Sequence, residues 1–250
     1  MRLDGKIVFV TGAGRGIGEA IALKASEEGA SVFVADIDLA TAERTAAAIV
    51  SAGGQSWPVA LDVTNYEAVQ AGIGSAIETA GHIDILINNA GWDQLEPFTI
   101  SRPETWTKVI GINYLGVVHT VHSVLPHMIE REQGAIVNIA SDAGRVGSTG
   151  EAVYSGAKGG VIAFTKTVAR EVARKGIRVN TVCPGPTETP LVMEAMEENA
   201  KILAALERAI PIGRMGKPRE VANAVAFMAS PEASFITGQT LSVSGGLSMV

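Results

Sequence analysis

Tyr154 and Lys158 stand four residues apart in "AVYSGAKGG", residues 152–160, with Ser141 upstream in "NIASDAG". Positions i and i+4 share a helix face, so a helix over 152–176 turns the phenol and the ammonium into one space. A free phenol titrates near about 10 and is a poor base at neutral pH; lowering that value by about three requires about 4 kcal/mol of preference for the phenolate. A cation at about 4.5 Å, in an effective dielectric of about 20, supplies about 3.7 kcal/mol. The pair is therefore expected to take a proton from an alcohol as hydride leaves its carbon, or to return one to a carbonyl. The hydroxyl of Ser141 would polarise the same oxygen. Y-x-x-x-K alone also describes an ordinary surface pair on a helix, so the chemistry depends on the surroundings.

Those surroundings are built from short β-branched runs: "KIVFV", "SVFVAD", "SWPVAL", "IDILINN", "AIVNIA", "IRVNTV" and "TLSVSG". Longer amphipathic stretches separate them, which predicts an α/β fold, a doubly wound parallel seven-stranded sheet with helices on both faces. A chain of 250 residues, 47% hydrophobic and 18% charged, suffices for one domain over 1–250. A net charge of −6 argues against nucleic-acid or anionic-membrane binding. The lone Cys183 permits no internal disulfide, and the apolar run near the N-terminus is too short for a signal peptide or a span. A cytoplasmic setting is expected. Residues 186–216, with Met193, Met196 and Met215, interrupt the alternation and are expected to form a substrate lid outside the strand ends.

"VFVTGAGRGIGEAIA" places Gly12, Gly14, Gly16 and Gly18 between the first strand and the first helix. Glycines there permit a tight turn and let a pyrophosphate rest on backbone amides at the helix N-terminus. Asp36 ends the second strand 18 residues beyond Gly18. A carboxylate at that point of a Rossmann-type fold binds ribose hydroxyls and repels a 2′-phosphate, which favours NAD over NADP. Arg15 is a candidate phosphate contact. Asp38 is better placed as a helix N-cap.

Together these residues resemble the short-chain dehydrogenase/reductase family along nearly the whole chain. The T-G-x-x-x-G-x-G pattern covers Thr11, Gly12, Gly16, Ile17 and Gly18, N-N-A-G covers Asn88 to Gly91, and the family's catalytic set falls on Asn113, Ser141, Tyr154 and Lys158. The resemblance implies that Asn113 holds, through its main chain, a water passing protons between Lys158 and solvent. It further implies that Asp62 and Val63 frame the adenine, that Asn89, Ala90 and Gly91 line the cofactor floor, and that Pro184, Gly185, Thr187 and Thr189 meet the nicotinamide and phosphates, beside Tyr154 and Lys158. A homotetramer paired through helices 103–131 and 152–176 is also implied. The chain departs from the family near its end, reading Ser244-Gly245-Gly246 where Asp-Gly-Gly is common.

His119 and His122 are spaced i, i+3, but no third ligand accompanies them, so they read as a helix face and no metal is expected. Cys183, between a strand and Pro184, reads as a small buried hydrophobe. Trp92, in "NNAGWD", offers an apolar wall to substrate and Arg145 an anion contact, or else each is loop packing. The loops "NNAGWD", "SDAGRVGSTGEAVYS" and "CPGPTETPL" resemble the branch that oxidises 2-hydroxycyclohexanecarboxyl-CoA with NAD. The alternatives are a 3-oxoacyl-thioester reductase, for which similar chains use NADPH, a dehydrogenase of free cyclic or secondary alcohols, and a non-catalytic NAD-binding sensor or scaffold.

Overall fold

A computed structural model describes residues 1–190, 192–193 and 200–250. Seven parallel strands form one sheet: β1 (Ile7–Thr11), β2 (Ser31–Asp36), β3 (Ser56–Ala60), β4 (Ile85–Asn88), β5 (Gly134–Ile139), β6 (Ile177–Pro184) and β7 (Thr240–Val243), in the order β3-β2-β1-β4-β5-β6-β7. The seven runs expected from sequence are these strands. Their near-continuous apolar character follows from burial on both faces. Val8, Val10, Val32, Val34, Ile85 and Ile87 enter one core layer, while Phe9, Phe33, Leu86 and Ile136 enter the other.

The first layer is covered by α1 (Gly16–Glu27), α2 (Leu39–Ser51) and a late helix, Pro218–Ala229; the second by α3 (Tyr66–Ala80), α5 (Gly116–Glu130) and α7 (Ala152–Val172). Asp38 caps α2 by accepting from Ala40 N at 3.0 Å, as expected, and Asn65 caps α3 by accepting from Ala68 N at 3.0 Å. Beneath the second layer a buried polar chain ties the sheet to two helices. Thr120 Oγ1 donates to Asn88 Oδ1 (2.6 Å), Asn88 Nδ2 to Asn138 Oδ1 (2.8 Å) and Asn138 Nδ2 to Thr165 Oγ1 (2.8 Å). In a low dielectric such a satisfied chain fixes one arrangement of α5 and α7 over β4 and β5.

The long helix expected over 103–131 is one body with a defect: α4 (Pro103–Ile110) runs into a π-turn at Gly111–Leu115 and then into α5. By length and composition it could cross a membrane, yet Val117, Val121, Val124 and Met128 on α5 are buried in the core. His119 Nδ1 lies 2.9 Å from the Val63 carbonyl and His122 Nδ1 2.8 Å from the Tyr66 hydroxyl, so both histidines engage the α3 side of the molecule. The helix expected over 152–176 ends as α7 at Val172, followed by a 3-10 turn, Ala173–Lys175, and Gly176 at φ +69.

The 186–216 excursion leaves and rejoins the body at one place, where Thr187 bridges Gly216 and Gly216 N donates to the Pro186 carbonyl at 2.9 Å. Residues 191 and 194–199 of this expected lid, Met196 among them, lie outside the described residues; Met193 is exposed and Met215 buried. The departure at Ser244-Gly245-Gly246 is accommodated by close packing. A Cβ on Gly185 would stand 2.7 Å from Ser244 Cβ, and Gly245 and Gly246 both take positive φ.

Candidate active site

The strand order reverses at β1, whose neighbours are β2 and β4, so the loops after β1 and β4 meet at the carboxyl edge of the sheet. Thr11 and Asn89 fasten them. Thr11 Oγ1 accepts from Asn89 N (3.0 Å) and Ala90 N (3.1 Å), and Asn89 Nδ2 donates to Gly12 O at 2.9 Å. Gly12 has φ +60, and a Cβ there would stand 2.7 Å from Ala90 Cα, so only glycine fits. Gly18, at the start of α1, faces the Gly12 carbonyl at a distance that leaves no room for a methyl. This cradle fits a dinucleotide pyrophosphate.

Asp36 sits beside it. Its Oδ2 accepts from Gly14 N at 2.9 Å and its Oδ1 from Asp38 N at 3.1 Å. Arg15 is exposed at the mouth, whereas Arg44, which the sequence reading passed over, donates from Nη2 to Gly14 O at 2.6 Å and braces the loop. Ile17 packs against the first core layer. Asp62 is exposed and bound to Thr64, while Val63 is buried against Gly116. Pro184 and Gly185 leave β6, Thr187 Oγ1 donates to Gly185 O at 2.9 Å, and Thr189 comes within 3.6 Å of a Cβ built on Gly16. Every residue expected to meet the cofactor thus lies along this one edge.

The candidate catalytic residues gather further along the same edge. Ser141 follows β5, Tyr154 and Lys158 lie one turn apart on α7, and Asn113 stands in the π-turn. Lys158 is buried, with Nζ 5.6 Å from the centroid of the Tyr154 ring and 2.9 Å from the Ile139 carbonyl to which it donates. Ser141 lies near enough to Tyr154 to draw the pKa of its phenol downward. Asn113 Nδ2 donates to Trp92 O (2.6 Å) and Val109 O (2.9 Å), which pins the loop after β4 to the long helix. A Cβ on Gly91 would lie 3.0 Å from Asn113 Oδ1 and 3.6 Å from Lys158 Nζ, so these three positions converge.

Two glycines set the approach of the Ser141 loop to α7, and the sequence reading gave neither a role. Gly144, on the short helix α6 (Ala143–Val146), lies against Gly159 of α7, where a Cβ would come within 2.7 Å of Gly159 N. Close backbone approach at such a glycine brings Ser141 beside a tyrosine 13 residues away. The repeated small residues of "AKGG" were the available signal.

Electrostatics correct one expectation. Burial pushes the Tyr154 phenol above its ordinary value, the carboxyls of Glu151 and Asp93 add to the effect, and nearby Ser141 opposes it. Lys158 is not among the largest influences on the phenol in the chain alone, and burial drives Lys158 itself down to about 8. Burial raises Asp93 to about 6, with its neighbour Glu151 adding to this and Lys158 working against it. Cys183 is pushed up to about 12 by burial, which fits a packing role. Trp92 lies under Lys108 Nζ, 3.7 Å from its ring centroid, and Arg145 belongs to α6. Neither lines the cleft of about 260 Å³ in front of Tyr154, which is walled by Asp93, Gln94, Phe98, Trp106 and Glu151.

The depressed value of Lys158 makes a stability prediction with a defined sign. A base whose folded pKa lies below its unfolded one loses its stabilising contribution as pH falls through the folded value. The drop from 10.5 to about 8 corresponds to about 3 kcal/mol at neutral pH. In Lys158→Met the bond to Ile139 is lost equally at every pH. The stability of the variant relative to wild type is therefore expected to improve by about 3 kcal/mol between pH 10.5 and pH 7, or about 6–12 °C in melting temperature. Parallel melting curves across that range would show that Lys158 is not desolvated.

Comparison with known proteins agrees with this geometry. The family model described as enoyl-(acyl carrier protein) reductase matches residues 12–248. A 3-oxoacyl-[acyl-carrier-protein] reductase, FabG, of Vibrio cholerae is 43% identical over 251 residues, covering 100% of both chains. FabG of Thermotoga maritima is 40% identical over 247 residues, covering 99% of each. The solved structure "Crystal structure of gox2181" aligns with a TM-score of 0.95 at 35% identity, covering 98% of this chain and 96% of that one. The glycine cradle, the Ser-Tyr-Lys convergence and these full-length likenesses establish that the chain belongs to the short-chain dehydrogenase/reductase family, an oxidoreductase acting on CH–OH and keto groups with a nicotinamide cofactor.

Proposed function

We propose that this enzyme interconverts 3-oxoacyl and 3-hydroxyacyl thioesters with NAD(H). The observation that carries the reading is the convergence of Ser141, Tyr154 and Lys158 beside Gly91, on the edge that also holds the glycine cradle. When bound, the nicotinamide accepts or returns hydride. Tyr154 moves the proton of the reacting oxygen, Ser141 holds that oxygen, and Lys158 supplies positive charge next to the phenol. Asn113 positions the loop after β4 and, in this reading, a water on its main chain.

The thioester class is supported by the relatives, whose names specify 3-oxoacyl groups on acyl carrier protein. They favour the reductase alternative over the cyclic hydroxyacyl-CoA branch read from the loops. The two substrates share one reacting unit, however, since a ring hydroxyl next to the thioester-bearing carbon is also a 3-hydroxyacyl thioester. One observation keeps the ring in view. Phe98 and Trp106 stack at 5.7 Å in the cleft wall, a flat apolar surface suited to a carbocycle. The preference for NAD rests on Asp36, whose carboxylate would stand against a 2′-phosphate. The 186–216 segment serves as the substrate lid, and the exposed Ile110 and Leu115 on the long helix suit the homotetramer.

Absorbance at 340 nm tests the reading with a linear 3-oxoacyl thioester, 2-oxocyclohexanecarboxyl-CoA and free cyclohexanone, each with NADH and NADPH. Both thioesters are expected to exceed the free ketone, and NADH to exceed NADPH by about a hundredfold in kcat/KM, equal to about 2.7 kcal/mol. Equal use of the two cofactors would remove the role given to Asp36. Equal rates for cyclohexanone and the thioesters would remove the substrate class.

A further inference from the structure

The cleft in front of Tyr154 is acidic in a chemically specific way. Asp93 arrives from the segment after β4 and Glu151, 58 positions on in sequence, from the residue preceding α7, and both line the cleft together with Tyr154. Both lie close enough to the catalytic phenol to raise its pKa. Glu96 lines the same cleft, and its Oε1 is shielded from water with no hydrogen-bond partner. The cation that faces this group is Lys158, which draws Asp93 downward but is itself held by the Ile139 carbonyl; Lys108 is engaged over Trp92. With its pKa raised to about 6, Asp93 carries negative charge at neutral pH, in the same cleft as the Glu151 carboxyl.

We infer that Asp93 and Glu151 are specificity determinants that reject substrates bearing a free carboxylate and admit those whose carboxyl group is masked as an ester or thioester. The inference rests on the proposed 3-oxoacyl reading. In a free 3-oxo acid the carboxylate carbon lies two bonds, about 2.5 Å, from the carbon that is reduced. Wherever the ketone meets Tyr154, that charge must enter the region of the pair. Like charges about 5 Å apart in an effective dielectric of about 20 give discrimination on the order of a hundredfold. An ester or thioester at the same place is neutral and meets no such barrier. A carboxyl pair is thus the reverse of the cationic pocket that would be needed to hold a free acid.

The test compares acetoacetate, ethyl acetoacetate and the N-acetylcysteamine thioester of acetoacetate as oxidants of NADH, using the full-length wild type, Asp93→Asn and Glu151→Gln. The ester-to-acid ratio of kcat/KM is expected to be on the order of a hundred in wild type and to fall about tenfold in each variant. It is also expected to fall in wild type between pH 7.5 and pH 5.5. There Asp93 takes up a proton while the substrate acid, with a pKa of about 4, stays ionised. A wild-type ratio near one overturns the inference, as does a ratio indifferent both to substitution and to pH. If either variant fails to fold, the wild-type pH series decides. The thioester-to-ester ratio judges the proposed substrate class separately: a thioester no better than the ethyl ester removes that class and leaves the acid pair standing. Turnover of none of the three overturns both.

Discussion

Tyr154→Phe is expected to lower kcat for ketone reduction by about a thousandfold, within the range of about 10²–10⁴ associated with a positioned proton donor. The ring stays in place on α7 and only the phenol oxygen is lost. NADH affinity, measured by fluorescence, should change far less than turnover, because the cradle around Gly12, Asn89 and Asp36 is untouched. The raised value of the phenol bears on direction. Burial together with Glu151 and Asp93 keeps Tyr154 protonated in the chain alone, the form that donates to a carbonyl oxygen. Alcohol oxidation needs the phenolate, and the added positive charge of an oxidised nicotinamide would favour it. Reduction is therefore expected to hold its rate toward lower pH than oxidation does. Activity of the phenylalanine variant above a tenth of wild type would end the assignment of Tyr154 as the proton donor.

Gly18→Ala should weaken NADH binding by about ten- to a hundredfold and lower the melting temperature by several degrees. An added Cβ would overlap Gly12 O and Asn89 Nδ2. The first of these is backbone, so α1 must retreat from the loop after β1. That movement breaks the Asn89 bonds to Gly12 O (2.9 Å) and Thr11 O (3.2 Å) that join the two loops of the cradle. Overpacking of this kind costs about 1–3 kcal/mol, and each lost hydrogen bond about 1 kcal/mol more. About 1.4 kcal/mol is a tenfold change in affinity, and each kcal/mol about 2–4 °C for a chain of this size. Gly74→Ala is the control, since nothing lies within 4 Å of its Cβ position in α3. Helix propensity then predicts a neutral or slightly stabilising change. Wild-type NADH affinity in Gly18→Ala would show that the cradle is not the dinucleotide site.

Much of the fold was legible because its cues are local. Runs such as "VFV" in β1 and "ILIN" in β4 are apolar at every position since both faces are covered, and Asp38 and Asn65 mark helix starts by what their side chains can accept. The π-turn at Asn113 was not legible. Nothing in "GINYLG" breaks helical periodicity; the widened turn goes with Asn113 reaching Trp92 O and Val109 O. Nor was the buried chain Thr120–Asn88–Asn138–Thr165, whose members read separately as ordinary polar residues.

By itself the sequence determined which side chains share a face: Tyr154 with Lys158 by helical spacing, and Gly12, Gly16 and Gly18 by their place between strand and helix. Only the tertiary structure decided what those faces meet and what charge they carry. The Ser141 loop comes up to α7 because Gly144 lies against it, and Asp93 shares a cleft with Glu151 because two loops end at one edge. Spacing along a helix is set by backbone geometry alone. The acidity of a phenol or an ammonium is set by the water removed from around it, and that is fixed by residues distant in the chain.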